Sequence, residues 1–182
     1  MHRNELAYHF AKAAHKSINQ KRKYTGEDYI VHLERVVAIL KQAGVQDNET
    51  LQAAFLHDVL EDVADHNPAY GAEKIEEYFG RKVLTLVREL TDEYTSKKYL
   101  KLNRNIRKGL EAIRLGYISK EAMKIKLADL IDNGQDIAKH DSKFAELYLR
   151  EKDNILKAFE PVVAQSNDKV LKDLFEKAKL TK

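Results

Sequence analysis

Residues 56–62 read Leu-His-Asp-Val-Leu-Glu-Asp, so one histidine and three acids fall close together in the chain. Glu61 follows His57 by four residues, and Asp62 follows Asp58 by four. In a helix, this spacing brings the four side chains to neighbouring sectors of one surface. The preceding residues 51–56 are mostly apolar, which indicates a buried helix. Acids at the end of a buried helix are costly to desolvate, and a bound metal ion would offset that cost.

A His-Asp pair alone is weak support for a metal site, because such pairs occur by chance in most proteins. The hypothesis therefore needs ligands from elsewhere in the chain. His32 lies in the first turn of an earlier predicted helix, and Asp129 falls inside a later apolar helical stretch. Each also fits an ordinary structural role. His32 could be a satisfied core histidine, and Asp129 could form a structural salt bridge.

The composition is that of a balanced helical protein. The 182 residues are enough for one domain with a real core, and 43% are hydrophobic and 34% charged. Seven glycines and two prolines leave few helix breakers, which argues against a sandwich or a barrel. The net charge of +3, from 32 basic and 29 acidic residues, is too balanced to indicate binding to nucleic acid or a membrane.

The compartment is suggested only by features that the chain lacks. There is no cysteine, so disulfides and thiol chemistry are excluded, as suits a reducing cytoplasm. The polar N-terminus is not a signal peptide, and no apolar run is long enough to span a bilayer. We therefore expect a cytoplasmic protein.

Hydrophobic periodicity predicts an all-α fold. One predicted helix begins after capping residues at 47–50 and carries the His-Asp pair, and a second begins after Ser119. The remaining helices are expected at residues 3–19, 29–43, 75–79, 83–90, 97–113, 142–159 and 167–180. We expect residues 1–182 to form a single domain, a bundle of about eight to ten helices. Its motif-bearing core would span about residues 10–160, and the packing helices residues 142–180.

Two imidazoles and two carboxylates from three predicted helices (His32, His57, Asp58 and Asp129) resemble the pattern of the HD-domain phosphohydrolases. Such a set brings a charge of about −2 to a divalent ion, and mixed nitrogen and oxygen ligands suit Mn²⁺ or Fe²⁺ and can also hold Zn²⁺. Four protein ligands leave room for water and a phosphate oxygen on an octahedral ion. The ion would then lower the pKa of its bound water.

Further motifs are similar to the RelA/SpoT hydrolase domain and the small stand-alone alarmone hydrolases. Residues 26–32, Gly-Glu-Asp-Tyr-Ile-Val-His, resemble a G-E-P-Y-I-x-H stretch, and residues 57–62 match H-D-x-x-E-D. Residues 126–133 match K-L-A-D-x-x-x-N. Weaker matches are an F-G-x-x-V at residues 79–83 and a V-T-D-D-like segment at residues 90–93. Together these motifs cover nearly the whole chain.

The resemblance implies hydrolysis of guanosine tetra- or pentaphosphate at the 3′-pyrophosphate, with Mn²⁺ held by the four ligands named above. Glu61 and Asp62 would orient and deprotonate the attacking water. The implied partner is a small phosphorylated nucleotide, and a homo-oligomer is compatible with the sequence. The residues expected to contact the nucleotide or its phosphates are Arg22, Lys23, Lys98, Lys101, Asn133 and, more weakly, Arg104.

Several positions depart from the family pattern. Lys23, next to Arg22, stands where the family has an arginine that packs on the base, and lysine cannot stack as a planar guanidinium does. The basic loop around it could equally be a solvated surface. Leu33 replaces a proline, and Asp136 stands where a threonine is common.

These departures keep alternatives open. The chain could be an HD phosphohydrolase acting on another nucleotide, such as (p)ppApp or NADPH. A non-catalytic nucleotide-sensing module is less expected, because the metal-binding and water-activating residues are complete. The length leaves no room for a synthetase segment.

Overall fold

The computed structural model describes residues 3–181 and confirms the all-α fold. Between Lys21 and Asp28 lies an isolated β-bridge, and the described residues contain no β-strand. A π-helical turn at Val59–Val63 and a 3-10 turn at Pro68–Tyr70 lie between Leu56 and Ala72. The nine α-helices found over the described residues are α1 (Arg3–Ser17), α2 (Ile30–Gln42), α3 (Asn48–Leu56), α4 (Ala72–Phe79), α5 (Arg81–Leu90), α6 (Arg104–Leu115), α7 (Lys120–His140), α8 (Ser142–Gln165) and α9 (Lys169–Leu180).

The chain divides into two compact units, one up to Thr91 and one from Asp92 onward. The expectation of a single domain over residues 1–182 stays a prediction. Across residues 3–181, no helix combines the length and the apolar character that crossing a bilayer requires.

The first unit is built around α3, which packs against α1, α2 and α5. Every residue from Thr50 to Leu56 is buried, as expected for a helix enclosed on all sides. Asp47 caps its N-terminus by accepting a hydrogen bond from the backbone N–H of Thr50 at 3.0 Å. The packed face of α1 carries small side chains (Ala7, Ala11 and Ala14), which let the two helices approach closely.

The His-Asp pair does not lie inside a continuous helix, and that prediction was wrong. The α-helix ends at Leu56, and the chain passes through His57 and Asp58 into the π-helical turn. The His57 ring takes part in ending the helix, since its Nδ1 lies 2.8 Å from the carbonyl oxygen of Ala54. A π-helical turn accommodates one more residue than an α-helical turn, and such turns are frequent at functional sites.

Two other helix boundaries differ from the predicted ones. The basic helix begins at Arg104 rather than Lys97, because the Asn103 side chain accepts a hydrogen bond from the Ile106 backbone N–H and caps the helix there. Helix α8 runs to Gln165, although the prediction ended it at residue 159, before Pro161. Phe159 and Val163 on either side of this proline are buried, so packing outweighs the lost backbone hydrogen bond.

In the second unit, α7, α8 and α9 pack against one another, and α6 packs against α8. The Glu111 carboxylate is buried, and it accepts hydrogen bonds from the backbone N–H groups of Glu93 and Tyr94, both at 3.0 Å. It also pairs with Arg114 at 2.6 Å. A segment without regular structure is thereby attached to α6.

A buried lysine joins α8 to α9. The Lys152 ammonium donates hydrogen bonds to the carbonyl oxygens of Ala178 (2.8 Å) and Thr181 at the C-terminal end of α9. Carbonyls at a helix end lack hydrogen-bond donors within the helix, and the Lys152 ammonium is the donor for these two. Burial lowers the pKa of Lys152.

We expect Glu111→Ala to lower the free energy of unfolding by about 3 kcal/mol, because it leaves two backbone N–H groups without their acceptor and removes the ion-pair partner of the half-buried Arg114. Urea denaturation followed by circular dichroism measures this loss. Glu176→Ala, on the exposed face of α9, is the control and should change the stability by less than about 0.5 kcal/mol. Equal losses in the two variants would show that the Glu111 hydrogen bonds do not hold this segment.

Candidate active site

Three of the four predicted metal ligands converge in the first unit. His57 Nε2 lies 3.1 Å from Asp58 Oδ2, and His32 Nε2 lies 3.7 Å from the same oxygen. The centroids of the two imidazole rings are 5.5 Å apart. Both histidines are buried, with 0% and 4% of the His32 and His57 surface exposed. Two ring nitrogens and one carboxylate oxygen thus face a common point.

Hydrogen bonding assigns the tautomer of His57. Its Nδ1 lies 2.8 Å from the Ala54 carbonyl oxygen, which can only accept, so Nδ1 carries the proton. In the neutral ring, Nε2 then presents a lone pair toward the Asp58 carboxylate. Two acceptor atoms 3.1 Å apart repel each other unless a cation lies near both. This donor set fits a divalent metal ion.

The Asp58 carboxylate is also held by an aromatic residue. The Tyr29 hydroxyl donates a hydrogen bond to Asp58 Oδ2 at 2.6 Å. Tyr29 occupies the N-cap position of α2, three residues before His32. The start of α2 therefore supplies both a predicted ligand and a group that orients another one.

Asp62 lies in the π-helical turn, with its backbone N–H bonded to the Asp58 carbonyl oxygen at 2.9 Å. Burial, and secondly the negative charge of Asp58, raise the pKa of Asp62 to about 6. The Gln20 amide opposes this rise by donating a hydrogen bond to Asp62 Oδ2 at 2.8 Å. A carboxylate with this pKa can accept a proton near neutral pH. Glu61, beside it, is exposed.

Asp129 lies in the second unit, on α7, where only 5% of its surface is exposed. Its two carboxylate oxygens accept hydrogen bonds from Lys126 (2.9 Å) and Asn133 (2.6 Å). The salt bridge considered as an alternative is therefore present, and Asn133 orients Asp129. A cavity of about 110 Å³ opens beside these groups, and its polar lining includes Asp129, Asn133, Lys126, Lys108 and Tyr148.

Two of the three cations predicted to bind phosphate, Lys98 and Arg104, have carboxylate partners within the second unit. Lys98 lies in a turn before α6 and pairs with Glu93 at 2.9 Å. Arg104 donates two hydrogen bonds to Glu151, at 2.7 and 2.9 Å. Lys101 is exposed, three residues further along the same segment before α6.

The basic loop of the first unit contains the two residues expected near the base. Arg22 is largely buried, and its backbone N–H donates to the Glu27 carbonyl oxygen at 2.9 Å. The Lys23 ammonium lies over the Tyr24 ring, 4.7 Å from the ring centroid.

Four residues were not singled out from the sequence: His15, Gln20 and Tyr29, near the acids of the first unit, and Lys126, beside Asp129 in the second. Tyr29 and Lys126 belong to the motifs that carry the resemblance, so the motifs contained the signal. His15 and Gln20 lie on either side of a helix end, and no periodic pattern connects them.

Comparisons with known proteins agree with this geometry. A family model described as an HD domain, HD_4, matches residues 7–161. The chain is 37% identical to the Xenopus tropicalis guanosine-3′,5′-bis(diphosphate) 3′-pyrophosphohydrolase MESH1 over 133 residues, covering 72% of this chain and 67% of that protein. It is 39% identical over 129 residues to the Aquifex aeolicus guanosine-3′,5′-bis(diphosphate) 3′-pyrophosphohydrolase, covering 71% of this chain but 17% of that protein.

A solved structure gives a similar result. The protein described as a metazoan ortholog of SpoT that hydrolyses ppGpp aligns with a TM-score of 0.77 and 27% identity, over 98% of this chain and 95% of its own. The family model covers most of the sequence, and the frog relative is matched over two thirds of its length. The chain therefore belongs to the HD-domain family, whose hydrolases are metal-dependent.

Proposed function

We propose that this chain hydrolyses guanosine 3′,5′-bis(diphosphate), with water attacking the 3′-pyrophosphate so that GDP and pyrophosphate are released. The observation that carries the proposal is the convergence of His32, His57 and Asp58 one turn before Asp62, whose pKa is raised to about 6. The names of the matched relatives support the choice of substrate.

The proposed metal ligands are His32, His57, Asp58 and Asp129. The first three are supported by their mutual distances, and Asp129 by its place in the family motif and by the hydrogen bonds that orient its carboxylate. Mixed nitrogen and oxygen ligands favour Mn²⁺, with Fe²⁺ and Zn²⁺ as alternatives. When bound, the ion would lower the pKa of the attacking water and polarise the phosphate.

Asp62 is the proposed general base. Its carboxylate accepts the proton of the attacking water, and its raised pKa brings its proton affinity closer to that task than an ordinary aspartate has. Glu61, exposed beside it, is proposed to orient the same water and to add negative charge near it.

For the nucleotide, we propose contacts from Asn133, Lys98, Lys101 and, more weakly, Arg104. Of these residues, Asn133 lines the 110 Å³ cavity of the second unit, which supports its proposed contact. Arg104 can take part only if its pair with Glu151 opens or if the nucleotide binds beside that pair. Exposed ion pairs contribute little free energy, so a phosphate can replace Glu93 as the partner of Lys98.

Base selectivity is proposed to be weak. The Lys23 side chain ends over Tyr24 and offers no planar guanidinium for stacking, while Arg22 is buried by the fold of its own loop. This favours acceptance of an adenine nucleotide as well as the guanine nucleotide. (p)ppApp and NADPH are therefore alternative substrates.

A panel of nucleotides tests the substrate. With Mn²⁺ bound, the protein should release pyrophosphate from ppGpp and also from ppApp, with kcat/KM values within about tenfold of each other because the base contributes little binding energy. Ion chromatography of the products measures both reactions. Turnover of NADPH to NADH and phosphate, without pyrophosphate release from ppGpp, would reject the proposed substrate.

The metal site is tested by removing ligands. Asp58→Ala and His57→Ala should each reduce the Mn²⁺ content after dialysis and lower kcat by at least about a thousandfold, since both lose a direct ligand. Metal content is measured by mass spectrometry and activity by pyrophosphate release. His9→Ala, which removes an exposed imidazole of α1, is the control and should retain both properties. Full metal content in Asp58→Ala would contradict the assignment.

The general base is tested by Asp62→Asn, which keeps the shape of the side chain but removes its basicity. We expect kcat to fall about a hundred- to ten-thousandfold with little change in KM or Mn²⁺ content. Asp65→Asn, an exposed neighbour in the next turn, is the matched control. If Asp62→Asn keeps more than about a tenth of the activity, another group is the base.

A further inference from the structure

The end of α1 has a defined geometry. The backbone N–H of Gln20 donates to the His15 carbonyl oxygen, and that of Asn19 donates to the Lys16 carbonyl oxygen, both at 3.0 Å. Asn19 has a φ of 54°, in the left-handed region. This pair of bonds with a left-handed residue is the Schellman motif, in which glycine or asparagine is preferred. The motif reverses the chain and places the Gln20 side chain beside that of His15.

The Gln20 side chain joins two groups. Its amide nitrogen donates a hydrogen bond to Asp62 Oδ2 at 2.8 Å, and its amide oxygen lies 2.6 Å from His15 Nδ1. The contact with Asp62 crosses 42 positions of sequence. A carboxylate can only accept, so the amide must point its nitrogen toward Asp62 and its oxygen toward His15.

This orientation determines the protonation of His15. The amide oxygen of Gln20 needs a donor, so His15 carries its proton on Nδ1. Within the described residues, His15 Nε2 is buried without a hydrogen-bond partner. A buried bare lone pair costs less than a buried N–H donor without an acceptor, which favours the same tautomer. His15 is 1% exposed, so its ring is fixed by packing.

The His15 ring also packs against a residue that orients Asp58. The ring centroids of His15 and Tyr29 are 4.5 Å apart, with 30° between the planes. The Tyr29 hydroxyl donates to Asp58, as described above. The end of α1 is therefore linked to two acids at the end of α3, to Asp62 through Gln20 and to Asp58 through Tyr29.

We propose that His15 and Gln20 form a positioning relay that holds the Asp62 carboxylate for proton abstraction. The relay rests on the proposed function, because it assigns to these two residues the orientation of its general base. Gln20 does not touch the substrate and acts through Asp62. His15 acts through Gln20 by fixing which end of the amide faces the acid.

The first test is kinetic. Gln20→Met keeps the length of the side chain but cannot hydrogen-bond, and we expect kcat for pyrophosphate release to fall about ten- to a hundredfold, the range for residues that orient a ligand or base. KM and Mn²⁺ content should stay within about threefold. Asn19→Gly, which keeps the left-handed residue of the Schellman motif, is the control and should retain full activity. An unchanged kcat in Gln20→Met would overturn the relay.

A double-mutant cycle separates positioning from a merely structural role. In the Asp62→Asn background, Gln20→Met should lower kcat by less than about threefold, because the group that it orients no longer acts as a base. If the two losses multiply instead, Gln20 acts independently of Asp62, and the proposal is wrong. A wild-type protein that releases no pyrophosphate from ppGpp would reject the proposed function, which is a different outcome.

The relay also predicts a property that does not depend on turnover. Nitrogen-15 NMR of the metal-free protein should show His15 as the neutral Nδ1–H tautomer. In Gln20→Met, the Nδ1 proton should lose its hydrogen bond and move upfield. Finding His15 with its proton on Nε2 in the wild type would overturn the proposed orientation of the Gln20 amide, whatever the activity measurements give.

Discussion

The arrangement of side chains in the candidate site depends on the crowding of acceptor atoms at the end of α3, the helix around which the first unit packs. His57 directs a lone pair at Asp58, and Asp62 lies one turn later with a pKa that burial and the Asp58 charge raise. Left in an apolar environment, such a cluster would destabilise the fold. The Tyr29 hydroxyl and the Gln20 amide donate hydrogen bonds to these acids. The nitrogen and oxygen atoms of the cluster also suit a divalent cation.

In the second unit, buried acids are also surrounded by hydrogen-bond donors. Asp129 accepts hydrogen bonds from Lys126 and Asn133, and Glu111 accepts them from two backbone N–H groups and Arg114. Both acids line the 110 Å³ cavity. The partners of Glu111 attach a loop to a helix, whereas Asp129 lies in the family motif. Burial of an acid alone does not separate the structural role of Glu111 from the role proposed for Asp129.

The sequence determined the helices, the acids and the histidines of the site. Periodic apolar residues predicted α1, α2, α5 and α9 within a few positions, because a helix that packs on one face needs side chains at that spacing. Ligand types that suit a divalent ion singled out His32, His57, Asp58 and Asp129 as the predicted metal ligands. The structure brings the side chains of the first three close together. The complete ligand set and the substrate contacts remain predictions.

Only the tertiary structure decided the details that depend on competition between local and distant interactions. Helix α6 begins after the Asn103 cap and not at the predicted Lys97, and α8 continues beyond Pro161, where Phe159 and Val163 are buried. The α-helix stops at Leu56 and a π-helical turn follows, although the i, i+4 pattern continues through Asp62. Gln20 reaches Asp62 across 42 residues, and Tyr29 reaches Asp58 across 29. Periodicity records which face of a helix is apolar, but not which side chain of another element will meet it, so these contacts arise only when the helices pack.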